Sequence, residues 1–272
     1  MTEAWVLEAV EEVDRPPARR PGVPSGRVGT GGRMRRAPVA EGEALPREVV
    51  EELAAAAGSA APRLAQRLAV AAGAYERDRY HDTLRITRQL LAQVPGSPSV
   101  HELHGLACYR LGRWREALKH LEAAGTLGGD DTAQWPVRMD CSRALGRMQE
   151  VEELWEQLRA ASPDADVLVE GRLVLAAARA DSGNLQGAID LLVGSGASRD
   201  LRHPAERHVR QWYVLADLCE RAGDLPRARD LFARVVRADP QLADAAERLA
   251  ALGPPRSRGR RGAGRTQRHA AQ

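Results

Sequence analysis

The side chains that could do chemistry are few and dispersed. His101 and His104 bracket Glu102 and Leu103, which puts two imidazoles one helical turn apart. That spacing could hold one edge of a metal site. No third ligand lies at a matching position and the order is not His-Glu-x-x-His, so the stretch reads as helix surface and no metal is expected. The other histidines (81, 120, 203, 208 and 269) are scattered. Gly26, Gly29, Gly31 and Gly32 faintly suggest a phosphate loop, but no strand precedes them and no Gly-Lys-Ser/Thr follows. Cys108, Cys141 and Cys219 stand far apart inside helical patterns, as small buried thiols of a reducing compartment would. No Gly-x-Ser-x-Gly elbow appears. Glu150, Glu152, Glu153 and Glu156 form an acidic run suited to a solvated helix face. These readings predict no catalytic residues, no cofactor and no enzyme.

Charge offers a second kind of chemistry. The chain of 272 residues has a formal net charge of +3. The positive charge belongs to its two ends. Residues 15–40 carry seven arginines and no acid, and residues 254–272 carry six arginines and no acid. Setting those thirteen aside leaves 27 basic against 37 acidic residues, so the middle of the chain is acidic. Arg33, Arg35, Arg36, Arg258, Arg260 and Arg261 are the candidate phosphate contacts, and Arg/Gly segments of this kind can tether RNA without reading its sequence. Against that reading, neither segment has aromatic stacking groups. Lys119 is the only lysine, so the arginine excess also fits the bias of a GC-rich genome. Met1 to Asp14 holds five acids and no long apolar core, unlike a secretory signal, and no stretch is apolar enough to span a membrane.

The elements that would position these groups are helical. Hydrophobic residues make up 43% of the chain and aromatics only 4%, with Ala and Leu dominant. That balance favours helices over sheets. Residues 1–43 are rich in Pro, Gly and Arg and are expected to be disordered, as is 254–272, which leaves 44–253 as the folded domain. A stripe of Val49, Val50, Leu53, Ala54 and Ala57 follows Pro46, the form of a helix covering one end of an array.

Period is the strongest signal. Turn residues fall at Asp78, Gly112, Gly146, Gly183 and Gly223, and stops at Pro95, Gly129 and Pro163. The first three turns are 34 residues apart, and so are the three stops. The later turn intervals, 37 and 40, predict loops lengthened by three and six residues. Around each turn the first helix offers a small position (Ala71, Gly105, Met139, Ala176, Ala216). The second helix offers another (Thr83, Ala117, Val151, Ala188, Ala228), and a mostly apolar row follows four residues later (Thr87, Leu121, Trp155, Leu192, Phe232). Met139 is the departure and predicts a looser or rearranged pair. Leu242, Ala245, Ala246, Leu249 and Leu252 read as a closing helix.

The fullest unit runs Trp212-x2-Leu215-Ala216-x2-Cys219, Gly223-Asp224-Leu225, Ala228-x3-Phe232 and Pro240. It resembles the tetratricopeptide repeat, with Ala216 where Gly is usual and Cys219 where Tyr is usual. The resemblance covers about residues 64–240. It implies an all-α solenoid, a right-handed superhelix of five antiparallel helix pairs with capping helices. The chain is most similar to stand-alone cytoplasmic proteins of this family from GC-rich, actinobacterial-type bacteria. The resemblance further implies a non-enzymatic scaffold that binds a protein or peptide in a concave groove lined by first helices. Carried to this sequence, the groove positions are Glu102, Tyr109, Asp140, Arg143, Tyr213, Asp217 and Glu220. Their acids and tyrosines would suit a segment with basic or apolar side chains. The alternative is an RNA-associated adaptor acting through the arginine segments.

Overall fold

A computed structural model describes residues 45–129 and 132–253. The arginine segments, with Arg33, Arg35, Arg36, Arg258, Arg260 and Arg261, lie outside the described residues, as does the helix considered for residues 1–14. The described residues are all-α. They form α1 (Arg47–Ala57), α2 (Ala61–Tyr75), α3 (Tyr80–Leu91), α4 (Pro98–Arg110), α5 (Trp114–Gly128), α6 (Trp135–Ala144), α7 (Met148–Ala161), α8 (Ala165–Asp181), α9 (Leu185–Gly194), α10 (Glu206–Arg221), α11 (Leu225–Ala238) and α12 (Ala245–Ala251). Two compact units emerge. The first contains α1 and four antiparallel pairs, α2/α3 to α8/α9, and ends at Ala197. The second begins at Ser198 and contains the pair α10/α11 and α12.

Each pair is closed by one left-handed residue. Asp78, Gly112, Gly146, Gly183 and Gly223 have φ of 56°, 68°, 71°, 86° and 79°. These are the five turns read from the sequence. At each, two backbone bonds cap the finished helix. Gly112 N–H donates to Tyr109 O and Arg113 N–H to Cys108 O, both at 2.9 Å, and the other four turns repeat the arrangement. Glycine suits the position because it has no Cβ to clash at positive φ. Asp78 is the exception, and its carboxylate accepts from the Tyr80 hydroxyl.

The next residue starts the second helix. Asn184 and Asp224 cap it directly, accepting from the backbone N–H of Gly187 and Arg227. Arg79, Arg113 and Arg147 cannot accept. They instead donate to an acid three residues on, Asp82, Glu116 and Glu150, whose charge lies in the first turn where the helix dipole favours it.

The seam of each pair follows the small positions. All fifteen residues of the three rows are buried. At Gly105 the approach is close: a Cβ there would stand 2.8 Å from Leu121 Cγ and 3.2 Å from Ala117 O. Met139 is fully buried, and the space it takes is returned by the neighbouring first helix. A Cβ at Gly171 of α8 would lie 3.5 Å from Met139 Sδ and 2.4 Å from Leu158 Cδ2.

Two expectations change. The three extra residues before Gly183 lengthen helix rather than loop: α8 has 17 residues against 10 in α6, and only Ser162–Asp164 joins α7 to α8. The later insertion does lie in a loop, between Gly194 and Glu206. Val50 is 43% exposed, so the stripe on α1 is narrower than its pattern suggests. Leu53, fully buried, carries that contact, packing with Leu64 and Leu68. Glu52 ties α1 to the start of α4 by accepting from the Ser97 and Ser99 hydroxyls.

Gly146→Ala isolates the backbone effect, because a Cβ there meets nothing within 4 Å. The variant is expected to lose about 1–2 kcal/mol from φ strain alone, read as a lower urea midpoint. Gly105→Ala is expected to lose about 1–3 kcal/mol by overpacking, although alanine is the better helix former.

Candidate functional site

First helices carry the seven positions singled out from the sequence. In the first unit they form a connected polar run across successive first helices. Tyr109 of α4 donates its hydroxyl to Asp140 Oδ2 of α6 at 2.7 Å. Arg143, one turn along α6, donates Nε to Asp140 Oδ1 at 2.7 Å and Nη1 to Asp181 Oδ2 of α8 at 2.5 Å. Tyr109 is 2% exposed, Asp140 1% and Arg143 7%. These three are therefore interior groups that join helices, and only Asp181 at the end of the run reaches solvent.

Their electrostatics follow from that burial. Burial, reinforced by the Asp140 carboxylate, pushes the Tyr109 hydroxyl well above its ordinary range, so it stays a donor. Burial works against the Arg143 charge, but Asp140 and Asp181 outweigh it and hold the guanidinium protonated. A buried charge pair of this kind is costly to break from one side, because the survivor keeps its desolvation penalty. Glu102 lies earlier on α4. It is half-buried and accepts from Gln134 Nε2 at 2.7 Å.

In the second unit the same theme closes the end. Tyr213 of α10 is 3% exposed and donates to Asp244 at 2.8 Å. Burial first, then the bond to Asp244, raises its pKa. Arg248 of α12 donates to Asp217 Oδ1 at 2.7 Å and to Glu220 Oε2 at 2.6 Å. Its guanidinium also lies 4.7 Å from the Phe232 ring centroid. A helix of only seven residues is thus held by one cation between two acids and an aromatic face. Of the seven candidates, Glu102, Asp217 and Glu220 keep partial exposure, and all three are carboxylates.

The histidine pair also has company that the linear sequence hides. His101 lies 3.0 Å from His120 through their Nδ1 atoms, and the His104 and His120 ring centroids are 4.3 Å apart. Cys108 and Glu116 lie beside His104, their ligand atoms and its own all within 4.8 Å of one another. The sequence does hold a signal for this. Residues 104 and 108 precede Gly112 by eight and four, and 116 and 120 follow it by four and eight. In an antiparallel pair turning at Gly112, those positions face each other. Trp135, Trp155 and Trp212 are buried packing residues, and all three cysteines are free and buried.

Residues 209–252 match the tetratricopeptide repeat family model. Among solved structures, the chain is similar to the crystal structure of TTC0263, a thermophilic TPR protein in Thermus thermophilus. That match has a TM-score of 0.50 and 19% identity, and covers 70% of this chain and 98% of that one. It supports the fold. A weaker likeness is to Naa15/Naa10 bound to HypK-THB, with a TM-score of 0.31, 16% identity and coverage of 70% of this chain and 39% of that one. No curated protein matches. The helix pairs, their turns, the family match and the Thermus structure identify a tetratricopeptide-type all-α fold.

Asp140→Ala is expected to cost about 3–5 kcal/mol, because it strands the buried Arg143 and Tyr109 together. Tyr109→Phe removes one bond to a charged acceptor and is expected to cost about 2 kcal/mol. In urea unfolding the double variant should lose clearly less than the sum, the mark of a shared network.

Proposed function

We propose that this chain is a non-enzymatic scaffold that captures a protein or peptide segment along its first-helix faces. Tetratricopeptide-type folds generally mediate protein–protein interaction, and such proteins are generally non-enzymatic. The observation that carries the finer reading is the charge of what stays accessible. Tyr109, Asp140, Arg143 and Tyr213 are buried in the fold, whereas Glu102, Asp217 and Glu220 are partly open and acidic. A segment with basic side chains would complement them, and such rim charges act mainly on encounter rate and partner choice. Asp217 and Glu220 are partly occupied by Arg248, so a partner's cation would compete with that contact.

Among the described residues no helix is long and apolar enough to cross a membrane. Free buried thiols fit the cytoplasmic setting proposed for it. The RNA-adaptor reading rests on arginines outside the described residues and draws its support from sequence alone.

Capture of a specific protein by the tagged full-length chain from native lysate, undiminished by nuclease, is the expected result. Glu102→Gln with Glu220→Gln should weaken that capture, most at low salt, while helix content by circular dichroism stays unchanged. Capture that vanishes with nuclease would instead favour the RNA reading. Capture untouched by the double variant would remove these acids from the binding surface. Substituting Tyr213 is a poor probe of binding, because its hydroxyl holds Asp244 inside the fold.

A further inference from the structure

The α4/α5 pair holds a cluster of potential metal-ligating side chains on the side facing α3. His104 is 2% exposed, and its tautomer can be read from its neighbours. The Thr87 hydroxyl donates to Thr83 O at 2.8 Å, so its single hydrogen is spent there. His104 Nδ1 lies 2.8 Å from the same hydroxyl oxygen and must therefore supply the hydrogen of that contact. Nε2 of the neutral ring is then a bare lone pair. It faces Glu116 Oε1 at 3.5 Å. An acceptor thus confronts a carboxylate acceptor, and a cation between them would satisfy both.

The remaining donors fit the same point. Cys108 lies one turn after His104 and is fully buried. Glu116 is half-exposed, and its other oxygen is held by Arg113. The three ligand atoms already lie within 4.8 Å of one another. Around a tetrahedral zinc ion, N, O and S donors stand about 3.3–3.6 Å apart, so modest side-chain rotation closes the set. The Thr87 hydroxyl does for His104 what outer groups do for metal-bound histidines, fixing the tautomer and the ring plane. The His120 ring lies beside that of His104, their centroids 4.3 Å apart. His101 donates Nε2–H to Pro95 O at 3.0 Å, leaving its Nδ1 to accept from His120 Nδ1–H.

We propose that His104 Nε2, Cys108 Sγ and the Glu116 carboxylate form a binding site for a borderline divalent metal ion such as Zn2+, with a fourth position open toward His120. Imidazole and thiolate donors select this class of ion over Mg2+ or Ca2+. Burial pushes the Cys108 thiol up to about 12, so the free protein carries S–H. On binding, the S–H bond breaks, the metal–sulfur bond forms and the proton passes to solvent. The cluster belongs to one helix pair, so its role is separable from partner capture on the first-helix faces.

The test uses the full-length chain, stripped with a chelator and titrated with Zn2+ against a chromophoric competitor. One equivalent is expected to bind. Glu116→Gln and Cys108→Ser should each weaken binding at least about tenfold, and Thr87→Val should do so by about 10- to 100-fold. Co2+ in place of Zn2+ should give thiolate charge-transfer absorption that Cys108→Ser abolishes. Glu116 is half-exposed, so its variant should fold, and circular dichroism checks each protein. Absence of stoichiometric binding by the wild-type chain would overturn the proposal. So would binding kept by Cys108→Ser and Glu116→Gln but lost in His101→Gln/His120→Gln, which would assign the ion to the outer imidazole pair.

Discussion

Every helix pair depends on one residue held at positive φ. The left-handed turn ends the first helix, satisfies its last carbonyls from two following N–H groups and sends the chain back antiparallel. Helix direction, seam register and the facing of residues equidistant from the turn all follow from it. A helix pair assembled this way cannot bury all its apolar surface alone. Within the first unit it relies on the next pair, which makes that unit a chain of nearest-neighbour contacts.

Within that frame, polar side chains also join helices. Tyr109, Asp140, Arg143 and Asp181 link α4, α6 and α8 by bonds of 2.5–2.7 Å. Apolar contact is tolerant of sliding, whereas a charged bond buried between two helices fixes their register through geometry. Arg143 Nη2 is left without a hydrogen-bond partner, so the network is not complete. Arg248 works similarly on α12, with the difference that Asp217 and Glu220 stay partly open. The same carboxylates thus serve the fold while keeping part of their surface open.

The two proposed surfaces use different parts of a helix pair. Partner capture is proposed for first helices, where partly open acids remain. The proposed His104, Cys108 and Glu116 set lies between α4 and α5, beside α3, with His104 and Cys108 enclosed by packing and Glu116 half-exposed.

The sequence by itself determined the period, the five turns and the seam, because each depends on local rules. A left-handed residue, a small side chain at the contact and an apolar row one turn later are properties of one helix pair and recur with it. Tertiary structure decided which polar residues meet water. Tyr109, Asp140 and Tyr213 look like surface groups when helices are read singly, and they became interior when a neighbouring helix covered that face. His120 looked scattered because linear spacing hides what folding back at Gly112 brings opposite. Val50 went the other way, since its stripe was wider than the neighbour that covers α1. Periodicity assigns a residue to a face of its own helix. Only the packed neighbours determine whether that face is desolvated, and desolvation sets the energy of every polar group on it.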